Sequence, residues 1–227
     1  MRTDLVEVLL GDKKADLVVT NGRIVDVVNR AVEPGGVAVK GDRIVAVGDI
    51  GHLIGPRTTV LDAQGRFVTP GLIDPHTHGY HAQLNFTEYA KLVLKRGTTA
   101  ITEGFYFAGM MAGADGVRFI RDEVRRTPLS LLFVVPVLSH LQNREVGIEV
   151  RPTTLHGPEL LEMLDWPDCV GLEEPPLMPI QDKDPVTVRL VEEGLRRRLR
   201  LMGDTSAGLD DTQVAAYAAA GATADQE

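Results

Sequence analysis

From Leu72 onward, short apolar runs alternate with amphipathic helical patterns, and this alternation constrains the fold more than any other feature of the sequence. Alternation of this kind implies a parallel sheet joined by right-handed crossovers. The strands read at Leu72-Ile73, Thr98 to Thr102, Leu129 to Leu138, Cys169 to Glu173, Leu199 to Met202 and Ala222 to Asp225. Between the first two, Asn85 is placed to cap a helix with Glu88 three residues on, and Phe86, Tyr89, Ala90 and Val93 recur at helical spacing until Gly97. Asp115 is the expected cap of the next helix, with Val117, Ile120 and Val124 inward, and His156 to Asp165 forms the third. Asp184-Pro185 sets a capping carboxylate before a proline at the first helical position, with Val188, Val191 and Leu195 as the buried face. Asp210 and Gln213 make a capping-box pattern ahead of Val214, Tyr217 and Ala218, and Gly221 closes that helix. Six strands and five helices therefore follow Pro70. An eight-stranded barrel needs two further βα units, so the pattern fits three quarters of a barrel or a doubly wound sheet. A partial barrel would expose two parallel edges for another polypeptide to complete.

The first 69 residues follow a different grammar. Residues 3 to 10 fit one short amphipathic helix, with Leu5, Val8 and Leu9 on one side and Gly11 as its stop. Then Asp16 to Thr20 and Arg23 to Val28 flank Asn21-Gly22, a pair that accepts the positive φ of a type I′ hairpin turn. Gly36 to Lys40 and Arg43 to Val47 flank Gly41-Asp42, and Thr59 to Asp62 and Arg66 to Thr69 flank Gln64-Gly65. An N-terminal antiparallel β subdomain of sandwich type is expected over 1–69, followed by a (β/α) domain over 70–227.

Composition narrows the function classes. At 227 residues, 44% hydrophobic and 25% charged, the chain has enough material for a sizeable globular core. Its net charge of −8, with basic residues scattered except at Arg196-Arg197-Arg198 and Arg200, gives no reason to expect nucleic acid. That cluster ends a helix, where cations suit the macrodipole. No apolar run approaches a membrane span, and the single Cys169 cannot form an intrachain disulfide, so a reducing cytoplasm is the expected setting.

Chemistry concentrates at Asp74-Pro75-His76-Thr77-His78, just past the first strand of the alternating region. Histidines two apart at a strand end can turn both imidazoles toward one point, and neutral imidazole is the commonest metal ligand. A bare His-x-His is otherwise read as two polar loop residues. Here a strand precedes it, Pro70-Gly71 punctuates it, and a long βα pattern follows.

Five stretches carry a resemblance: ADLVVTNGRIVDVV at 15 to 28, VTPGLIDPHTH at 68 to 78, KRGTTAIT at 95 to 102, CVGLEE at 169 to 174 and GLDDTQVAAYAAAGATADQE at 208 to 227. Together they resemble the N-terminal portion of the adenine deaminases of the amidohydrolase superfamily. The resemblance implies a metal-dependent (β/α)8 barrel with a small β-sandwich. It also implies a first metal position that takes His76 and His78, an acid after strand four that falls on Glu174, and an aspartate after strand eight. The second position's histidines after strands five and six fall on Thr205 and Gln226, and the Asp-Pro-His-Glu motif after strand two is replaced by Gly104-Phe105-Tyr106-Phe107. The ligands kept are those of one metal position, so one divalent ion, zinc, manganese or iron, is expected on His76, His78, Glu174 and an aspartate donated by a second protein subunit.

Such an ion lowers the pKa of coordinated water from ~15.7 to about 7 and polarises the carbon under attack, as hydrolysis of an amide or amidine requires. A carboxylate then carries the proton to the leaving nitrogen. Asp204, Asp225 and Glu227 are the candidates at the barrel mouth, with Asp204 and Glu227 favoured; all three read equally as structural residues. His81 and Tyr106 are candidates to face a small-molecule substrate, and Phe105, Tyr106 and Phe107 fit either an aromatic substrate wall or core packing. His140 sits at the catalytic end, whereas His52 and His156 read as surface residues. The alternative to a two-subunit hydrolase of carbon–nitrogen bonds is a noncatalytic barrel subunit with a structural or regulatory role. A broken gene and a processed precursor fit the same sequence.

Overall fold

The computed structural model describes residues 3–145, 155–205 and 208–225. The chain divides into two compact units, Met1–Pro70 and Gly71–Glu227.

In the first unit, α1 (Thr3–Leu9) precedes β1 (Leu17–Asp26), β2 (Ala31–Lys40), β3 (Arg43–Gly48), β4 (Thr59–Asp62) and β5 (Phe67–Val68). These strands make one mixed sheet among the described residues, in the order β3-β2-β1-β4, with β5 also on β1. The Gly41-Asp42 turn behaves as expected, joining β2 to β3 with Lys40 opposite Arg43. The other two turn signals do not make hairpins. Asn21-Gly22 lies inside β1, where the register shifts between Val19 and Gly22 and Asn21 takes φ 52°. The positive φ that a I′ turn demands serves equally well in a bulge. The β1–β2 reversal instead falls at residues 27–30, where the Asp26 carboxylate accepts from the backbone of Val28 and Asn29. Gln64-Gly65 likewise joins β4 to β5, and both run parallel to β1 rather than against each other. Here the partner strand is chosen far along the sequence, and the turn residues cannot report it. Val8, Ala15, Val18, Ala38, Ile50 and Leu53 form this unit's core.

The second unit holds β6 (Leu72–Asp74), α2 (Phe86–Leu94), β7 (Thr98–Glu103), α3 (Tyr106–Arg125), β8 (Ser130–Pro136), α4 (Leu138–Glu145), α5 (Gly157–Met163), β9 (Cys169–Glu173), α6 (Leu177–Gln181), α7 (Pro185–Arg196), β10 (Arg200–Gly203), α8 (Asp211–Ala219) and β11 (Ala222–Asp225). All six strands are parallel and stand in strict sequence order from β6 to β11. A doubly wound sheet reverses its strand order at a switch point, whereas a sheet that winds one way is the beginning of a barrel. The core beneath the helices gathers Phe86, Ile101, Phe105, Phe133, Leu160, Leu172, Leu190 and Leu201. At the β6 edge, Leu72 and Ile73 remain 58% and 59% exposed.

Two boundaries differ from expectation. The helix expected to begin at Asp115 starts nine residues earlier, at Tyr106, and bends at Gly113, whose φ 61°, ψ −151° is open only to glycine at low cost. Asp115 lies just beyond that bend, so the pattern it begins is the second half of α3. Strand β8 stops at Pro136 and gives way to α4, which takes up Leu138 and His140.

Candidate metal centre

The ends of β6, β7, β9 and β10 point the functional side chains at one place. Past β6, the backbone of His76 donates to the Asp74 carboxylate and that of Thr77 to the Thr102 carbonyl, so the loop turns back over β7. This brings Nε2 of His76 and Nε2 of His78 to 2.8 Å of each other. Oε1 of Glu174 lies 3.5 Å from the first and 3.8 Å from the second. Successive strand residues normally face opposite sides, and Glu173 and Glu174 would be separated. Glu174 leaves β9 with φ 46°, its backbone donating to the Met202 carbonyl on β10, and both carboxylates end up around His78.

A point about 2.0 Å from all three ligand atoms exists within the triangle they form, matching the 2.0–2.2 Å bonds that zinc makes to imidazole nitrogen and carboxylate oxygen. At most one proton can lie between two Nε2 atoms so close, so at least one lone pair faces the gap. The donor set of two nitrogens and one oxygen suits a divalent first-row ion and leaves positions for further ligands. These residues fit a single divalent ion.

Around the triangle stands a second group that the sequence pattern did not single out. Glu103, fully buried at the end of β7, accepts from the backbones of Gly79 and Phe105, and its Oε1 lies 3.6 Å from Nδ1 of His78. Glu173, 2% exposed, accepts from the backbone of Gly104, and its Oε2 has no hydrogen-bond partner among the described residues. A methyl on Gly104 would collide with that oxygen, which explains glycine at the turn. The available signal was an acid closing each of two otherwise uncharged strands, Thr98–Glu103 and Cys169–Glu173, where a charge is costly unless it has a task.

Electrostatics separate the two histidines. Burial, then the like charge of His78, holds His76 below the ordinary imidazole pKa, which favours the neutral form that binds metal. Burial pulls His78 the same way, but the hydrogen-bonding and charge of Glu103 and the charge of Glu174 outweigh it and raise its pKa. Glu103 is itself pushed up by burial, against the donors that face it. Glu173 is pushed well above the carboxylate range by burial and then by the charges of Glu103 and Glu174.

The other candidates divide. The ring of His81 lies 5.4 Å from that of His78 and 5.5 Å from Phe107; Tyr106 lies 5.3 Å from His78, edge to face, and stacks on Phe107 at 4.4 Å. Phe105 is fully buried and packs on Phe86 and Phe133. The trio after strand two therefore splits: Phe105 is core, and Tyr106 and Phe107 flank the histidines. Asp204 stands close enough for its charge to act on His76. Glu227 and Gln226 lie outside the described residues, as does the side chain of Asp225. His140 faces the Asp184 carboxylate at 3.5 Å rather than the triangle, while His52 and His156 are exposed.

The family model described as "Amidohydrolase family" matches residues 67–226. The chain belongs to the amidohydrolase family. Within it, the chain is adenine deaminase-like: it is 37% identical over 195 residues to adenine deaminase 4 of Rhizobium meliloti, covering 85% of this chain and 32% of that protein. To the adenine deaminase of Rubrobacter xylanophilus it is 36% identical over 228 residues, covering 97% of this chain and 37% of that one. The chain thus spans about a third of the length of the curated relatives it matches. Solved amidohydrolase-type structures share its fold. The L-hydantoinase (dihydropyrimidinase) of Arthrobacter aurescens superimposes with TM-score 0.59 at 17% identity over 91% of this chain and 47% of that one. An atrazine chlorohydrolase of Arthrobacter aurescens TC1, complexed with zinc, does so with TM-score 0.59 at 14% identity over 88% of this chain and 55% of that one. No described helix of this chain is long and apolar enough to cross a membrane.

Proposed function

We propose that the chain is the metal-binding subunit of a hydrolase that cleaves a carbon–nitrogen bond in a cyclic amide or amidine, in the manner that the name of its adenine deaminase relatives implies. The observation that carries the reading is the triangle of His76, His78 and Glu174, with ligand atoms 2.8, 3.5 and 3.8 Å apart. One zinc, manganese or iron ion held by His76, His78 and Glu174 would supply a nucleophile at neutral pH and polarise the carbon under attack. Asp204, beside His76, and Glu227 are the proposed proton carriers to the leaving nitrogen. His81 and Tyr106, with the ring of Phe107, offer a flat apolar substrate a wall on which to stack.

A second protein subunit is the proposed partner, adding the strands that close the barrel and an aspartate as the further ligand. The cytoplasm is the proposed compartment, in keeping with a lone thiol. A noncatalytic role is the second reading, favoured by Thr205 standing where the family carries a histidine.

The test is to measure metal content and hydrolysis of adenine and related cyclic amidines and amides, read as ammonia release where an exocyclic amine leaves and as ring opening where a ring amide is cut, for the chain alone and with the partner added. The proposal expects metal content to rise to one ion per complex and hydrolysis, as ammonia release or ring opening, to appear with it. Metal content that stays below one ion per complex after the partner is added would overturn the shared site. A fully loaded complex that neither releases ammonia nor opens a ring amide would favour the noncatalytic role.

A further inference from the structure

We infer that Glu103 is a positioning residue: it fixes the Nδ1–H tautomer of His78 and so keeps the Nε2 lone pair turned toward the His76–Glu174 side. The inference rests on the metal-site reading above and deepens it. Glu103 comes from β7, a different strand from the one whose loop carries His78, and its carboxylate is held by both segments. Oε2 accepts from the backbone of Gly79 at 2.9 Å, and Oε1 accepts from the backbone of Phe105 at 3.2 Å while facing Nδ1 of His78 at 3.6 Å. The group is fully buried and cannot swing away into water. Gly79 is confined in turn, because a methyl there would meet the Phe86 ring at 2.6 Å.

An imidazole has two nitrogens, and the partner of one decides what the other can do. A carboxylate opposite Nδ1 accepts a proton-bearing nitrogen and repels a bare one. Nδ1 therefore carries the proton, and Nε2 is left as a lone pair beside Nε2 of His76 and Oε1 of Glu174. The 3.6 Å separation is longer than a finished hydrogen bond but keeps the carboxylate opposite Nδ1. Carboxylate partners of ligand histidines typically contribute 10- to 100-fold in metal affinity. Glu103→Gln reverses the logic. Its amide can present N–H toward Nδ1, which moves the imidazole proton to Nε2 and places it where the ion would bind.

The experiment combines nitrogen NMR of the His78 ring in the metal-free full-length protein with Co2+ titration of the parent, Glu103→Gln and Glu103→Asp. The expected result is an Nδ1–H tautomer in the parent, a shift toward Nε2–H in Glu103→Gln, a Co2+ affinity lower by roughly 10- to 100-fold, and partial recovery of both in Glu103→Asp. Unchanged tautomer and affinity in a folded Glu103→Gln would overturn the inference. Should that variant not fold, an Nε2–H tautomer in the parent would overturn it alone, and an Nδ1–H tautomer with weakened Co2+ binding in Glu103→Asp would uphold it. A parent that shows the expected tautomer and its shift in Glu103→Gln, yet binds no Co2+, would remove the metal reading and leave the positioning of His78 standing.

Discussion

Nε2 of His76 and Nε2 of His78 stand 2.8 Å apart, with a Glu174 oxygen closing the triangle. Removing any corner takes away a ligand, so His76→Ala, His78→Ala and Glu174→Gln should fold while binding metal at least ~100-fold more weakly, beyond the loss typical of an outer partner. Equilibrium dialysis against Zn2+ or Co2+, with circular dichroism as the folding control, checks this. Parent-like binding in His76→Ala would remove that residue from the site.

The Asp184 carboxylate accepts from the backbone of Thr187 at 2.8 Å and caps α7. Partial burial alone would raise its pKa, but the Thr187 hydrogen bonds and the nearby His140 outweigh it and bring the pKa below the ordinary value. A depressed carboxylate contributes stability that is present above its unfolded pKa and is lost as pH falls through the folded one. Asp184→Ala should cost about 1 kcal/mol at pH 7 and progressively less as pH falls below the ordinary carboxylate range, as denaturant midpoints would show.

Arg121, 8% exposed, grips Asp168 through Nε and Nη2 at 2.6–3.1 Å and lies over the Trp166 ring at 4.2 Å. Truncation leaves a part-buried carboxylate without its cation, so Arg121→Ala should destabilise by about 3 kcal/mol. Arg121→Lys keeps the charge but loses the fork, and should recover only part of this on thermal melting.

Burial pushes the Cys169 thiol up from 9.0 to about 11. The thiolate is the reactive form, so native alkylation at pH 7.5 should run roughly 100-fold slower than in the unfolded protein and rise about tenfold per pH unit toward that value. Iodoacetamide kinetics with and without urea measure both.

Local chemistry made much of the second unit legible. The caps at Asn85, Asp184 and Asp210 each accept the backbone donor three residues on, because a cap is settled within one turn. The His76–His78 pair was legible from its place past a strand, and Glu174 through resemblance. Asn21-Gly22 misled because a positive φ specifies a conformation and leaves the partner strand open. Glu103 and Glu173 were missed because an acid at a strand end looks like any solvated residue until the fold encloses it. The helical start at Tyr106 was hidden by Phe105, a buried phenylalanine at φ 61°, a conformation its side chain does not advertise.

The most direct test of the shared mononuclear site is native mass spectrometry with metal analysis on protein purified from its own source. The account predicts a complex heavier than this chain, carrying one divalent ion per copy of it. A metal-free species of this chain alone would contradict it.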